Sequence, residues 1–310
     1  MCEDLRVDGT CVHRDHHHDH DHDHDHDHGT APLAAGEGRR MVVVGKGGVG
    51  KTTIAALLAR QLARRKADVI AVDADEQSNL GATLGLDLDA LASVVPLAAN
   101  DDYVEEKTGA RPGEGAGAML RLSPDVTDVV DRMAVAAPDG VRLLVMGGVT
   151  RAGGGCLCPE TALLASTIRS MRLRRGEMVV MDTHAGVEHF GRSLARGFDE
   201  AIVVVDPTRN AVGVGLDTAR MAAELGISSM RLVVNRVRDP LDVQRARGHF
   251  AFFGADGELP FASVHALPYD EEALLSEPSV DRLLEGSALG AAVDRLAVDL
   301  LHPVAAAMAP

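Results

Sequence analysis

The feature that most constrains this chain is a glycine-rich segment between an apolar run and a helical pattern. The apolar run is Met41–Val44, the helical pattern is Thr52–Arg65, and the segment between them is Gly45-Lys46-Gly47-Gly48-Val49-Gly50-Lys51-Thr52. It fits G-x-x-x-x-G-K-[ST] in the strand-to-helix context that this pattern requires. Glycines let backbone N–H groups turn toward a phosphate, and the helix start adds a favourable dipole. The segment predicts a phosphate-binding loop, with Lys51 on the β- and γ-phosphates, the Thr52 hydroxyl on Mg²⁺ and Thr53 beside them. An ordinary glycine-rich turn is the alternative.

The rest of the chain alternates apolar runs with helical patterns. Hydrophobic residues make up 46% and aromatic residues 3%, so the core must be aliphatic, which suits a buried parallel sheet. We predict an α/β fold over residues 39–310, with a doubly wound, mostly parallel sheet flanked by helices. Residues 92–140 have the composition of an acidic insertion. Further strands are predicted at Val69–Val72, Leu143–Met146, Met178–Met181, Ile202–Val205 and Leu232–Val234, and further helices at 161–173, 210–225 and 280–301.

Residues 1–38 form a separate tail and linker rich in His and Asp. Residues 1–29 hold nine acids and two arginines, and residues 13–28 show no apolar periodicity, so we expect a disordered tail. Neutral imidazoles bind borderline metals such as Ni²⁺ and Zn²⁺. We therefore predict weak metal binding by the tail, with a purification tag or a solubilising segment as the alternatives. The candidate ligands are His16, His17, His18, His20, His22, His24, His26 and His28.

Charge, hydropathy and cysteine content exclude several classes of protein. A net charge of −15 gives no long-range attraction to nucleic acid or to an anionic membrane. No apolar run approaches the roughly 20 residues of a membrane span, and the polar N-terminus shows no secretory signal. Four cysteines in 310 residues are not a disulfide framework. We expect a cytoplasmic protein with reduced thiols that binds neither nucleic acid nor membranes.

The second residue of the loop makes the motif more specific. The sequence GKGGVGKTT resembles the deviant phosphate loop of the MinD/ParA/nitrogenase-iron-protein class of ATPases. The resemblance implies ATP as the nucleotide and a homodimer in which Lys46 reaches the nucleotide of the partner subunit. A cation there supplies charge where phosphoryl transfer develops it, as an arginine finger does. A solvated loop lysine is the alternative.

Two acidic segments resemble the switch regions of the same class. The strand Val69–Val72 leads into Asp73-Ala74-Asp75, and the resemblance implies that Asp75 orients the attacking water with Asn79 nearby. Asp73 has an alternative role as a strand-end acid that orders the loop. The strand Met178–Met181 leads into Asp182, which fits the Walker B role of holding Mg²⁺ directly or through water. Gly186 would offer its backbone N–H to the γ-phosphate.

Adenine recognition is predicted from two further matches to these ATPases. Asn235 follows the strand Leu232–Val234 and matches an asparagine that such ATPases use for the base edge. Pro268 and Asp270 match a second stretch that contacts the base. The alternative for Asn235 is an ordinary turn residue.

A Cys-x-Cys pair follows three glycines between a predicted strand and a predicted helix. Pro159 and Glu160 mark a helix start, so Cys158 is expected near the N-cap, where the helix dipole favours the metal-binding thiolate. Two sulfurs are too few for a closed tetrahedral site, whereas a two-fold dimer supplies four. We predict that Cys156 and Cys158 of two subunits bind Ni²⁺, Zn²⁺ or a cluster. Two buried cysteines acting as small hydrophobes are the alternative.

Three separated motifs together resemble the nickel-insertion ATPases of carbon monoxide dehydrogenase maturation, the CooC-like family. The motifs are the phosphate loop, GGGCLCPETALL and MDTHAGVEHFGR, and the resemblance covers roughly residues 40–275. It implies an ATP-dependent homodimer that binds Ni²⁺ through Cys156 and Cys158 of both subunits. The implied client is a nickel enzyme, carbon monoxide dehydrogenase. The His-rich tail departs from the usual pattern of this family, which starts near the first strand.

Three other functions fit parts of the sequence. A spatial-organising ATPase of the Min/Par type needs a basic DNA-binding patch or a basic amphipathic C-terminal helix, but Arg295 is the only basic residue over 283–301. An iron–sulfur reductase or carrier of this class places its cluster cysteines in two separate loops. A non-enzymatic nickel store would not need the acidic switch segments.

Overall fold

A computed structural model describes residues 38–111, 121, 123–147, 163–168, 171, 173–184, 197–253 and 261–302 of the chain. The described residues form an eight-stranded sheet in the order β3-β4-β2-β5-β1-β6-β7-β8, in which only the short β3 is antiparallel to its neighbour. Helices flank the sheet, so the predicted mostly parallel α/β fold is confirmed. The strands are β1 Arg39–Gly45, β2 Asp68–Ala74, β3 Val135–Ala136, β4 Arg142–Val145, β5 Glu177–Thr183, β6 Glu200–Val205, β7 Ser229–Val237 and β8 Ser263–Pro268.

The central strands are aliphatic because helices cover both faces of the sheet. In β1, Val43 pairs with Asp182 of β5 on one side and with Ile202 of β6 on the other. In the same layer, Asp73 of β2 pairs with Asp182. Since these strands are parallel, their carboxyl ends share one edge of the sheet. The register therefore places both acidic segments beside the loop that follows β1.

The described helices follow most of the predicted pattern. The long helix α1 is buried on nearly every face, which fits its position against the sheet. Residues 163–168 are helical within the predicted helix 161–173, whose other residues lie mostly outside the described ranges. The helices are α1 Lys51–Arg64, α2 Leu80–Leu84, α3 Leu88–Ser93, α4 Asp101–Thr108, α5 Val129–Met133, α6 Arg209–Glu224, α7 Pro240–Phe252, α8 Glu272–Leu275, α9 Asp281–Leu284 and α10 Ala288–Leu301.

The prediction of one C-terminal helix over 280–301 is wrong, because the chain forms two helices there. The first, α9, ends at Leu284, and Gly286 has φ 119°, a left-handed conformation that does not continue a helix. Ser287 then begins α10, since its Oγ accepts a hydrogen bond from the Gly290 N–H at 2.9 Å. The apolar face of α10 is buried and contacts α1.

Residues 92–140, predicted to be an acidic insertion, contribute to the main hydrophobic core. Tyr103 and Val104 of α4 are buried, as is Val129 of α5. The Tyr103 hydroxyl donates to Asp128 at 3.1 Å, which ties α4 to the start of α5. The acidic residues of this region that the structure describes are exposed or half-buried, whereas the apolar side chains of the same elements pack inward.

None of the helices within the described ranges is long and apolar enough to cross a membrane. The tail over residues 1–37, with all the histidines predicted to bind metal, lies outside the described residues.

Candidate active site

The phosphate loop joins β1 directly to α1, as the sequence predicts. Gly45 has φ 147°, and a Cβ atom there would lie 2.2 Å from the Val204 carbonyl oxygen of β6. Gly48 and Gly50 also have positive φ, at 80° and 97°. A side chain is strained at these angles, so the glycines allow the tight turn that lets α1 begin at Lys51. The strand, loop and helix therefore form the backbone shape of a phosphate-binding site.

Lys51 is the buried cation of this loop. Its Nζ donates to the Lys46 carbonyl oxygen at 3.3 Å, so the side chain folds back over the loop. Burial lowers the pKa of Lys51, while Asp182 and Asp75 raise it. Among the described residues, this desolvated ammonium has one long hydrogen bond, to a backbone carbonyl, which it can exchange for phosphate oxygens. Lys46 lies half-buried in the loop, and Thr52 and Thr53 lie half-buried in the first turn of α1.

Asp182, at the end of β5, is a fully buried carboxylate. Neither of its oxygens accepts a hydrogen bond of full geometry from a residue that the structure describes, although the Thr52 hydroxyl is near enough to lower its pKa. Burial is the larger effect and raises the pKa of Asp182 to about 7, with Asp73 raising it further. Buried carboxylates normally have partners, so the free oxygens of Asp182 are suited to hold a cation.

The chemistry of these side chains fits Mg²⁺. A carboxylate and a hydroxyl are the hard oxygen donors that Mg²⁺ prefers, and Mg²⁺ takes few protein ligands because it keeps several waters and binds substrate phosphates. Among the described residues, no group of three or more His, Cys, Asp or Glu side chains could hold a metal by itself. Asp182 and Thr52 therefore suit a metal shared with nucleotide rather than a closed protein cage.

Asp73 orders the first acidic segment from inside the sheet edge. Its side chain is fully buried, and its two oxygens accept the backbone N–H groups of Asp75 at 3.1 Å and Leu80 at 2.9 Å. Burial raises the pKa of Asp73 to about 6, and the two backbone hydrogen bonds lower it. The loop-ordering role weighed for Asp73 from the sequence is what the geometry shows.

Asp75 lies at the same edge, half-buried, with Oδ1 accepting the Gln77 N–H at 2.9 Å. It affects the pKa of both Lys51 and Asp182, so these three predicted site residues are brought together. Asn79 is exposed, and its backbone carbonyl oxygen accepts hydrogen bonds from the Thr83 N–H and hydroxyl. Its predicted positioning role stays a prediction.

Asn235 makes a contact that the sequence did not predict. Its Nδ2 donates to the Val49 carbonyl oxygen of the phosphate loop at 2.8 Å, and the side chain is buried. A Cβ atom on Gly50 would lie 2.7 Å from the same Nδ2, so this approach requires glycine. A register irregularity of β7 and the left-handed Arg236, with φ 60°, accompany this contact. The Asn235 side chain therefore stabilises the phosphate loop, a role that is separate from the predicted adenine contact.

The second predicted adenine-binding stretch ends β8. Pro268 pairs with Val237, and the Asp270 carboxylate accepts the backbone N–H groups of Glu272 at 3.0 Å and Leu289 at 3.2 Å. These bonds give Asp270 a structural role at the starts of α8 and α10. A base contact by Pro268 or Asp270 stays a prediction. Cys156, Cys158 and Gly186 lie outside the described residues.

Comparisons with known proteins agree with this geometry. The family model described as the CobQ/CobB/MinD/ParA nucleotide binding domain matches residues 40–274. The carbon monoxide dehydrogenase accessory protein CooC of Rhodospirillum rubrum is 35% identical over 224 residues, covering 72% of this chain and 84% of that protein. An ATP-binding protein of Methanocaldococcus jannaschii is 34% identical over 238 residues, covering 77% and 88%.

Solved structures share the fold at lower identity. The septum site-determining protein MinD of Pyrococcus horikoshii, complexed with Mg-ADP, has a TM-score of 0.59 at 19% identity and covers 86% of this chain and 97% of its own. A ParA family ATPase of Chlorobium tepidum has a TM-score of 0.58 at 18% identity, covering 86% and 100%. Since the family model spans most of the chain and the relatives match over most of their lengths, this protein belongs to the CobQ/CobB/MinD/ParA nucleotide-binding family and is an ATPase.

Proposed function

We propose that this ATPase is a nickel metallochaperone that works as a homodimer in the cytoplasm and supports nickel insertion into carbon monoxide dehydrogenase. The observation that carries the proposal is the 35% identity to a carbon monoxide dehydrogenase accessory protein over 84% of its length. The Cys-x-Cys pair supplies the chemistry, because thiolates bind Ni²⁺ and a two-fold dimer would present four of them. In this proposal Ni²⁺ is the ion that is transferred, and ATP hydrolysis supplies the free energy.

The described residues support the hydrolytic part. Lys51 would exchange its contact with the Lys46 carbonyl for the β- and γ-phosphates. Asp75, oriented by the Gln77 N–H, would orient the attacking water and accept its proton. Asp182 and Thr52 would hold Mg²⁺, whose charge offsets that of the phosphates when it is bound.

The dimer enters the proposal through Lys46. This lysine lies at the loop surface, half-buried, while Lys51 occupies the interior position. Lys46 of one protomer would reach the phosphates of the other, so hydrolysis would require two chains. Gly186 and Asn79 would complete the phosphate contacts, and Asn235, Pro268 and Asp270 the adenine contacts.

The packing of α10 bears on whether this helix could be the membrane anchor of a Min-type ATPase. A membrane-organising ATPase of the Min type needs a free basic amphipathic C-terminal helix. In α10, Leu289, Val293, Leu296 and Leu300 are buried, so the apolar face is already used inside the protein.

The test of the nickel site compares full-length proteins by equilibrium dialysis with Ni²⁺. We expect the double variant Cys156→Ala/Cys158→Ala to bind about one Ni²⁺ fewer per two chains than the parent. Both proteins keep the tail, so the Ni²⁺ bound by the tail does not contribute to this difference. The double variant Cys2→Ala/Cys11→Ala is the matched control and should bind as the parent does. A difference of zero, or of one ion per chain, would contradict the shared site.

The tail is proposed as a second, weaker nickel reservoir. Imidazoles bind metal only when neutral, so its capacity should fall as the pH drops through about 6.5. Deleting residues 1–30 should lower the number of Ni²⁺ ions bound and leave the ATPase rate unchanged. An unchanged nickel stoichiometry would remove the tail from the mechanism.

A further inference from the structure

A groove lies beside the first acidic segment, between α3 and the loop that precedes α9. Its volume is about 670 Å³, and it opens to solvent next to α2. Four apolar side chains and two acids line most of it: Leu86, Leu88, Leu91, Pro278, Asp87 and Asp89.

Leu88 makes this groove unusual. It is the first residue of α3, and 83% of its surface is exposed. A single exposed leucine is ordinary, but here Leu86 is buried and Leu91 half-buried in the same groove, so the apolar surface is continuous. Leu91 is held against α2, since a Cβ atom on Gly81 would lie 2.9 Å from its Cδ2. The groove therefore has a fixed apolar floor and one solvent-facing wall.

The rim of the groove is acidic. Asp87 caps α3 by accepting the Ala90 N–H at 2.7 Å, which accounts for its position. Asp89 is exposed and forms no hydrogen bond or ion pair with any residue that the structure describes. Glu277, which precedes Pro278 in the chain, is also exposed. None of the described residues lining the groove is basic.

We propose that this groove binds a partner-protein segment whose aliphatic side chains are flanked by Lys or Arg. An apolar floor with Asp87 and Asp89 at its rim complements an amphipathic helix that presents apolar anchors at helical spacing with cations beside them. The chain itself carries a net charge of −15, which adds long-range attraction for such a segment. The proposal goes beyond nickel binding and does not depend on it.

The groove is connected to the nucleotide site by hydrogen bonds. The helix α2, which supports Leu91, begins at Leu80, and the Leu80 N–H is held by the Asp73 carboxylate. The same carboxylate holds the Asp75 N–H. A nucleotide that moves Asp75 therefore acts on the helix that supports the groove. Partner binding and nucleotide binding should be coupled, and reciprocally so.

The test uses the full chain and two fluorescein-labelled synthetic helical peptides, one of Leu and Lys and one of Leu and Glu, followed by fluorescence anisotropy. We expect the Leu/Lys peptide to bind and the Leu/Glu peptide not to bind. Leu88→Ser should weaken Leu/Lys binding about 10-fold or more, because burying a leucine side chain contributes that factor. Leu241→Ser is the matched control, since Leu241 is 53% exposed at the start of α7.

A second pair of variants separates the groove from general charge attraction. Asp89→Lys should weaken binding of the Leu/Lys peptide more than Glu224→Lys, which reverses an exposed charge on α6. Equal weakening by both charge reversals, or by both leucine variants, would overturn the proposal. So would sedimentation data in which Leu88→Ser abolishes self-association while peptide binding is unchanged, because the groove would then bind a second copy. Equal peptide affinity in ATP and in ADP would overturn the coupling.

Discussion

Asp182 makes a measurable prediction about stability as well as catalysis. In the absence of metal, the folded protein keeps this carboxyl group buried, and burial raises its pKa from 3.8 to about 7. The folded state therefore binds a proton between these two values that the unfolded state has already released. Stability attributable to Asp182 is highest below pH 3.8, falls as the pH rises, and reaches its lowest value above about pH 7.

The magnitude follows from the size of the pKa difference. At about 1.4 kcal/mol per unit, the raised pKa of Asp182 lowers the stability of the metal-free protein, relative to its value below pH 3.8, by about 4 kcal/mol at pH 8 and by about 1.5 kcal/mol at pH 5. Asp182→Asn keeps the shape and removes the charge. The variant should gain about 2 to 3 kcal/mol relative to the parent between pH 5 and pH 8, part of it shared with the neighbouring Asp73.

The assay is urea denaturation in EDTA at both pH values. Asp217→Asn is the control, because its carboxylate lies 63% exposed on α6 and loses little hydration on folding. The same Asp182→Asn protein should lose Mg²⁺-dependent ATP hydrolysis, so stability and activity move in opposite directions. A variant whose advantage over the parent is the same at pH 5 and pH 8 would refute the reasoning.

Three further predictions concern the loop and its neighbours. Lys51→Ala should weaken ATP binding. Lys46→Ala should still bind ATP in calorimetry but fail to hydrolyse it, because the Lys46 side chain acts on the nucleotide of the other protomer. Hydrolysis by Lys46→Ala at the parent rate would contradict this. Asp75→Asn should stop turnover and accumulate an ATP-bound dimer in size-exclusion chromatography, and a monomeric variant would count against its role. Asn235→Ala leaves the Val49 carbonyl without its partner, so it should weaken both ATP and inorganic triphosphate by about 5- to 100-fold. If the variant binds inorganic triphosphate as the parent does, Asn235 acts on ATP only through the adenine base.

The phosphate loop could be predicted from sequence because its signal is local. The order of strand, glycines, lysine and helix occupies adjacent positions, and each glycine angle is a property of its own backbone. The same holds for Asp73, since its two hydrogen bonds go to residues 2 and 7 positions later in the chain. Strands with continuous apolar runs, such as β5 and β6, were predicted to within a few residues for the same reason.

The Asn235 contact could not be predicted in this way. Its partner, Val49, lies 186 positions earlier in the chain, and the approach depends on the register of β7 against β8. Hydrophobic patterns and residue propensities describe one segment at a time, so they do not predict an irregularity in how two strands pair. The groove beside α3 was not predicted from the sequence because α3, a six-residue helix, is too short to show helical periodicity.

The C-terminal break shows how two local signals compete. Gly286 followed by Ser287 is a helix stop followed by an N-cap, and both are visible in the sequence. The leucines on either side keep a spacing close to 3.6 residues, which favours one helix. The structure follows the stop signal, since Gly286 adopts a left-handed angle and Ser287 caps α10.

The two buried carboxylates at the sheet edge connect these observations. Asp73 and Asp182 occupy paired positions on adjacent parallel strands, and the Asp73 carboxylate raises the pKa of Asp182. A fold built for stability alone would place apolar residues there, as it does at Val43 and Ile202 in the same layer. A cation with phosphate ligands would offset the charge of Asp182, and the Asp73 carboxylate already accepts the backbone N–H groups of Asp75 and Leu80. The binding of metal and nucleotide would therefore act on the same buried charges that hold the loop from Asp73 to Leu80 and the start of α2, and this would give the site a means to transmit its occupancy to the protein surface.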